Sequence, residues 1–245
     1  MQSSRALQSG RDKRSDWVGF ACFAGWAMIN LAMGASVFLR TPAVAVFLVP
    51  TFLHDSLIAV SFLTRKPLRQ QAEGWMARIA AYSASVLVPA FAFIAGRWQS
   101  GWIAPSSRPL YTAGAILWIC GACFGLWGLL RLRCAFSVVP QARVLVTSGP
   151  YRWARHPVYA SYLLQYAGMT LSHLTPVSVL VLAIWWWVVM VRISYEESVL
   201  SAEFLEYASY TRQVGRFMPR LVRKIEKARQ QVQPAAQDAL RTTGN

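Results

Sequence analysis

The sequence predicts an all-α protein, a multi-pass transmembrane helical bundle, and three observations lead there. Of its 245 residues, 55% are hydrophobic and 14% charged, whereas an average soluble domain carries about 25% charged residues. Arg/Lys-free stretches run 17–39, 41–64, 79–96, 109–130 and 156–191, and a bilayer-spanning helix needs roughly 17–25 apolar residues. The apolar runs are continuous rather than alternating, which is helix and not β-barrel patterning. A soluble enzyme, a disordered chain and a disulfide-stapled secreted domain are all excluded by this balance.

The first span starts after Asp16 and runs from Trp17 to Leu39. The second opens at Pro42, a favoured first-turn residue, and ends near Thr64, with His54 and Asp55 in its middle. The third covers about 79–96 and the fourth about 110–130. The last stretch, 156–191, is too long for one crossing: as a single helix it would reach about 54 Å across a hydrocarbon core of about 30 Å. Ser172-His173-Leu174-Thr175-Pro176 supplies the break, because Pro disrupts a helix interior and Ser/Thr suit a cap or turn. A helical hairpin follows, about 157–172 and 176–192, giving about six membrane segments, or five if one arm is only partly inserted.

Basic residues set the orientation. With both termini cytoplasmic, 22 Lys/Arg fall inside and three outside, Arg40, Arg97 and Arg108. The net charge of +15 is therefore a topology signal, and no nucleic-acid partner is expected. Anionic lipid heads would attract the basic tail. The first apolar run is too long for a signal-peptide core. Three regions emerge: a four-helix membrane region at 1–130, a core at 131–224 that carries the chemistry, and a polar tail at 225–245, read as a short exposed helix and a loose end.

Cys22, Cys120, Cys123 and Cys134 are the four cysteines. Cys120 and Cys123 form a CxxC inside an apolar run, with no second pair, so they read as small packing residues and no metal is expected. His54-Asp55 is an ionisable pair in mid-span, where such groups are costly and often functional. It could bind an ion or substrate, or satisfy itself against a neighbouring helix, and the sequence leaves both open.

Two segments hold the specialised residues. The first, 143–159, opens with a short β-like run, turns at Ser148-Gly149-Pro150, and presents Tyr151, Arg155 and His156 at the start of a helix whose first turn holds Pro157. Free N–H groups there suit an anion. The second leaves the last span as Arg192-Ile193-Ser194-Tyr195-Glu196-Glu197 and continues to Pro219. If the helix persists past Arg192, then Arg192 and Glu196 share a face, while Arg192 and Glu197 flank a groove more easily than they pair. Four of the ten acidic residues fall in 196–206.

Leu-Val-Thr-Ser-Gly-Pro-Tyr-Arg-x-x-Arg-His-Pro-x-Tyr at 145–159, Arg-x-x-x-Glu-Glu-x-x-Leu at 192–200, and Tyr-x-x-Tyr with a Pro at 207–219 together resemble the isoprenylcysteine carboxyl methyltransferase family and its phospholipid-methyltransferase relatives. The likeness covers about 134–220. Two departures stand out: Phe204-Leu205-Glu206-Tyr207 lacks the Gly usual before the first Tyr, and Arg143 stands where eukaryotic members tend to have His. The resemblance implies S-adenosylmethionine bound without a Rossmann domain, in keeping with the lack of a GxGxxG after a strand. It implies that Arg143, Val144, Leu145, Val146 and Gly149 line that cofactor, and that Tyr151, Arg155, His156 and Pro157 contact its nucleoside or methionyl part. Glu197, helped by Glu196, would meet the methionyl ammonium, and Arg192 the substrate carboxylate. Arg192 and Glu197 are the candidate catalytic residues.

The expected reaction is methyl transfer from a sulfonium to a carboxylate on a lipid-like or prenylated acceptor, with Arg192 holding the oxygen on line in a dry pocket. Trp185-Trp186-Trp187 could line a lateral path from the bilayer or simply pack. A lipid amine N-methyltransferase is the nearest alternative, with Glu196 or Glu197 as proton acceptor. A transporter built around His54-Asp55 or a non-catalytic scaffold are the others. No obligate protein partner is expected.

Overall fold

The computed structural model describes residues 17–32, 35, 45–85 and 107–220. Both termini, Pro42, the polar tail and the far half of the third predicted span lie outside them. Among the described residues, helix α1 (Trp17–Ala32) precedes α2 (Ala45–Thr64), which carries Pro50 within it. A short extended segment leads through β1 (Gln70–Gln71) to α3, residues 75–85. Helix α4 (Arg108–Leu132) starts behind Ser107 with a proline in its first turn. A loop containing β2 (Gln141–Ala142) and a 3-10 turn (Gly149–Arg152) leads to α5 (Pro157–Ser172), α6 (Pro176–Glu203) and α7 (Tyr207–Gln213).

The helical break falls where Ser/Thr and Pro chemistry puts it. α5 ends at Ser172 and α6 starts at Pro176. Thr175 accepts from the Ser178 backbone N–H at 3.1 Å, and Ser178 Oγ accepts from the Thr175 N–H at 3.0 Å. This reciprocal capping box satisfies donors that the helix start would otherwise orphan. α6 then runs unbroken past Arg192 to Glu203, so the open question about helix continuation is answered. Among the described residues, two helical stretches, Arg108–Ala135 and Pro176–Glu203, are long and apolar enough to cross a membrane, and Trp17–Ala32 and Val49–Thr64 are shorter apolar helices. Their outer faces expose Ile116, Leu130, Leu180 and Trp187, as a helix facing hydrocarbon would.

Close helix contact fixes the centre. Gly121 and Gly125 on α4 face Ser161 of α5; a Cβ on Gly121 would lie 2.8 Å from the Ser161 carbonyl oxygen, and one on Gly125 would lie 2.5 Å from Ser161 Oγ. Only glycine permits that approach. α2 joins this pair through Ile58 and Phe62 against Leu129, Phe136 and Val158. α6 brings Trp185, Val189 and Ile193 against Tyr159, Tyr162 and Tyr166 of α5, and the Trp185 indole N–H donates to Ala84 O of α3 at 3.2 Å.

Two expectations need correction. The β-like run assigned to 143–146 is not a strand. The ladder lies two residues earlier, where Gln141 and Ala142 pair antiparallel with Gln71 and Gln70, because a partner strand, rather than β-propensity, decides where pairing occurs. Cys120 and Cys123 are not packing residues: both are exposed on α4, with free thiols, since the buried face of that helix belongs to the glycines.

Candidate functional site

Glu197 is the hub of a dense ionic cluster near the C-terminal end of α6, beyond its apolar 176–191 stretch. Oε1 accepts from Arg155 Nη2 at 2.9 Å, Arg155 Nε at 3.1 Å and His156 Nε2–H at 3.1 Å. Oε2 accepts from Arg216 Nη2 at 2.7 Å and Arg216 Nε at 3.1 Å. Burial pushes the Glu197 carboxyl up, but the hydrogen bonds from His156 and Arg216 and the charge of Arg155 outweigh it and hold it at about 2. Arg155 is itself buried. Its remaining contacts, Nη1 to Thr211 O at 3.1 Å and to Val214 O at 2.9 Å, satisfy most of its five N–H donors.

The backbone explains how Arg155 and His156 meet Arg216, 60 or so positions away. Arg155 N–H donates to Gly215 O at 2.8 Å and His156 N–H to Arg216 O at 2.9 Å, and Ala154 and Gly215 form a parallel bridge. Residues 214–217 thus form a strap across the start of α5. His156 is the N-cap of that helix and Pro157 its first residue, which fits proline's fixed φ and missing donor. Gly149 turns the loop at φ +62°, where a Cβ would also lie 2.8 Å from Arg131 Cγ. Tyr210 Oη donates to Tyr151 O at 2.6 Å, tying α7 to the same loop. Burial first, and then the Glu196 charge, raise the Tyr151 phenol well above its usual range, so it stays a neutral donor.

Beside the cluster lies a cavity of about 340 Å³, within the usual range for small-molecule pockets. Tyr151, Arg155, His156, Tyr159, Arg192 and Glu196 line one part of it. Tyr159 Oη donates to Glu196 Oε2 at 2.7 Å. The Arg192 guanidinium is buried, lies 5.4 Å from the centre of the Tyr159 ring, and meets no carboxylate among the described residues. Its weak partners are Ala81 O and Ser85 Oγ at 3.4 Å and Ser137 O at 3.3 Å, and among the described residues its buried Nε has no partner. A buried cation so poorly matched is suited to an incoming anion. The α5 lining runs from His156 to Met169, about 20 Å at 1.5 Å per residue, so the cavity extends along the bundle.

The fold brings Tyr151, Arg155, His156, Arg192, Glu196 and Glu197 together. Arg155 and Glu197 pair directly, and Glu196 rather than Glu197 lies on the cavity wall. Arg143 is fully buried and turned inward: its guanidinium donates to Gln141 Oε1 at 3.0 Å and to the Lys66 carbonyl. Val144 is exposed, and Val144, Leu145, Val146, Gly149 and Pro157 are not among the residues lining the cavity. Of the three tryptophans, Trp185 is buried on the cavity wall, Trp186 packs on Phe217 with ring centres 4.9 Å apart, and Trp187 faces outward. Sequence reading missed Arg216. It is one of nine basic residues from Arg192 onward, and nothing in its spacing marks it.

Residues 110–206 match the family model described as phospholipid methyltransferase. The cobalt-zinc-cadmium resistance protein CzcN of Cupriavidus metallidurans is 35% identical over 130 residues, covering 51% of this chain and 55% of that protein. The nickel-cobalt-cadmium resistance protein NccN of Alcaligenes xylosoxydans xylosoxydans is 32% identical over 166 residues, covering 66% of this chain and 68% of that protein. The chain thus spans about half the length of the first relative and two thirds of the second. Among solved structures, the eukaryotic intramembrane Ras methyltransferase, an isoprenylcysteine carboxyl methyltransferase, superposes with a TM-score of 0.45 at 18% identity, over 86% of this chain and 97% of that one.

Proposed function

This chain belongs to the phospholipid methyltransferase and isoprenylcysteine carboxyl methyltransferase-like family, and from that premise we propose an integral membrane enzyme that uses S-adenosylmethionine to O-methylate a lipid-like carboxylate. The observation that carries this reading is the cavity lined by Tyr151, Arg155, His156, Arg192 and Glu196. When bound, S-adenosylmethionine supplies a methyl group activated on a sulfonium. The donor set suits it: its zwitterionic end needs one anion and one cation, and Glu196 and Arg155 stand on the same wall.

In this proposal Glu196 accepts from the ammonium, and the Tyr159 hydroxyl on its other side keeps the carboxylate turned inward. Arg155 faces the cofactor carboxylate. Glu197 is a positioning residue: it holds Arg155 and His156 in place rather than touching the cofactor itself. Arg192 takes the acceptor carboxylate and fixes one oxygen on line. The aromatic walls exclude water, which leaves the attacking oxygen poorly solvated. The acceptor's apolar tail lies along the limb that passes Tyr162 and Tyr166, entering from the bilayer, with the cavity mouth and both termini on the cytosolic side.

One observation favours a second reading, methylation of an amine headgroup. Glu196 sits in the cavity beside the Tyr159 ring, and a carboxylate with aromatic neighbours also suits a cation. A single experiment separates the two. The protein is purified in detergent, titrated with S-adenosylmethionine by calorimetry, and screened for radiolabelled methyl transfer to long-chain carboxylic acids and to lipid amines. Binding of the cofactor and labelling of acids, lost in Arg192→Ala, supports the first reading. Labelling of amines alone selects the second, and absence of cofactor binding overturns both.

A further inference from the structure

The mid-span pair on α2 takes no part in the function above, yet it shares the cavity. Asp55 is buried, and both its oxygens are engaged: Oδ2 accepts from Asn30 Nδ2 of α1 at 3.0 Å, and Oδ1 lies 3.3 Å from His54 Nδ1. A carboxylate can only accept, so Nδ1 is the donor in this contact and Nε2 is the ring atom left to take a proton. That Nε2 is buried and has no hydrogen-bond partner among the described residues. His54, Asp55 and Asn30 line the same cavity as Arg192 and Glu196.

Ring contacts give the spacing. The His54 imidazole meets the Tyr162 ring edge-on with centres 5.4 Å apart, and Arg192 stands 5.4 Å from the Tyr159 ring centre. Tyr159 and Tyr162 are three residues apart on α5, about 4.5 Å of rise. The imidazole and the guanidinium thus lie against rings on successive turns of α5, in the same cavity. Besides Asp55, the charged and titratable groups that line the cavity with His54 include Tyr162 and Tyr166 on α5 and Arg192 and Glu196 on α6.

An acid carrying an apolar tail leaves hydrocarbon in its neutral form, because burial disfavours the carboxylate. The neutral acid is a poor nucleophile, so its proton needs an acceptor on the cavity wall. We propose that His54 Nε2 is the proton acceptor for the lipid acid, oriented by Asp55, and that Arg192 receives the carboxylate so formed. The O–H bond breaks with its electron pair left on oxygen, and an N–H bond forms at Nε2. The Asp55 carboxylate against Nδ1 offsets the imidazolium charge. This inference rests on the carboxylate reading above and extends it to a group on a helix outside the motif-bearing half of the chain.

The test uses the full-length protein in detergent with ¹⁵N-labelled histidine. The chain has three histidines, so His54→Gln assigns the resonance. Dodecanoic acid is added without cofactor, and its methyl ester serves as the control that has no proton to give. The expected result is that His54 Nε2 moves from its lone-pair to its protonated position with the acid and not with the ester. In turnover, His54→Gln should lower methyl transfer to the acid by about 100-fold or more while S-adenosylmethionine affinity stays within about twofold. Asp55→Asn should retain binding and shift the pH profile. An unmoved His54 resonance, an equal shift with the ester, or full turnover in His54→Gln overturns the proposal. Should His54→Gln not fold, the wild-type spectrum with acid and ester, together with Asp55→Asn, still decides. Protonation of His54 in a protein that transfers no methyl group would sink the methyltransferase reading and leave the proton site standing.

Discussion

Glu197 collects four N–H groups from two arginines and the imidazole Nε2 within 3.1 Å, and its removal therefore exposes several charges at once. Its side chain is 14% exposed and that of Arg155 7%, whereas Arg216 is 40% exposed. Breaking a buried pair from one side costs about 3–5 kcal/mol, and an exposed one about 1 kcal/mol or less. Glu197→Gln should therefore lower the denaturation midpoint in detergent far more than Arg216→Ala; similar small shifts in both would show that the cluster is solvated. The pH dependence follows from the same contacts. Folding takes the carboxyl from an ordinary 4.5 to about 2. As pH falls, the unfolded chain binds the proton first, so the stabilisation is complete above about pH 4.5 and is lost as pH falls toward 2. Thermal scans between pH 6 and pH 3, at about one-unit steps, should show this loss in the wild-type protein and not in Glu197→Gln.

Two elements depend on the absence of a side chain. The α4–α5 contact works because Gly121 and Gly125 let the helices touch at Ser161. Gly125→Leu would force them apart at a cost of about 3 kcal/mol or more, and with them the α5 wall of the cavity. Cofactor affinity should drop along with stability in calorimetry; unaltered binding would mean that the cavity does not depend on this contact. The Gly149 turn is a second case. At φ +62° a Cβ costs about 1–2 kcal/mol, and it would also press on the Arg131 side chain. Gly149→Ala should weaken S-adenosylmethionine binding by about tenfold, through misplacement of Tyr151, with a smaller effect on unfolding.

The bundle as a whole directs apolar side chains outward and its ionic cluster inward at one end. The cluster, the strap at 214–217 and the loop at 143–156 occupy the end where Arg131, Arg133 and Arg152 also fall. The distribution of basic residues predicts that this end is cytosolic. Exposed Cys120 and Cys123 on α4 give a check against lipid: a membrane-impermeant maleimide should leave them unlabelled in bilayers and label them after detergent solubilisation. A single cysteine introduced at Arg152 in a background lacking the native four should label only from the cytosolic side of oriented vesicles. Labelling from the opposite side would invert the topology.

Much of this was legible in residue order. The hairpin at 173–175 could be read from Pro176 and its Ser/Thr neighbours, because local chemistry ends a helix wherever it occurs. The motifs at 145–159 and 192–200 carried the site for the same reason: most of its groups lie within two short segments. What residue order left open was which side chain would face which. Glu196 and Glu197 are adjacent and chemically alike, yet one lines the cavity and the other is enclosed by Arg155, His156 and Arg216. A 100° step between neighbours on a helix separates them only once the surrounding helices are in place. Arg216 joined the cluster through the 214–217 strap, and His54 joined the cavity through α2, both by long-range packing that leaves no periodic trace. Composition and spacing therefore decided the helices and the segments that carry chemistry, through local backbone and solvation energies. The pairing of charges and the shape of the cavity were decided by tertiary packing, because they depend on distances between residues far apart in the chain.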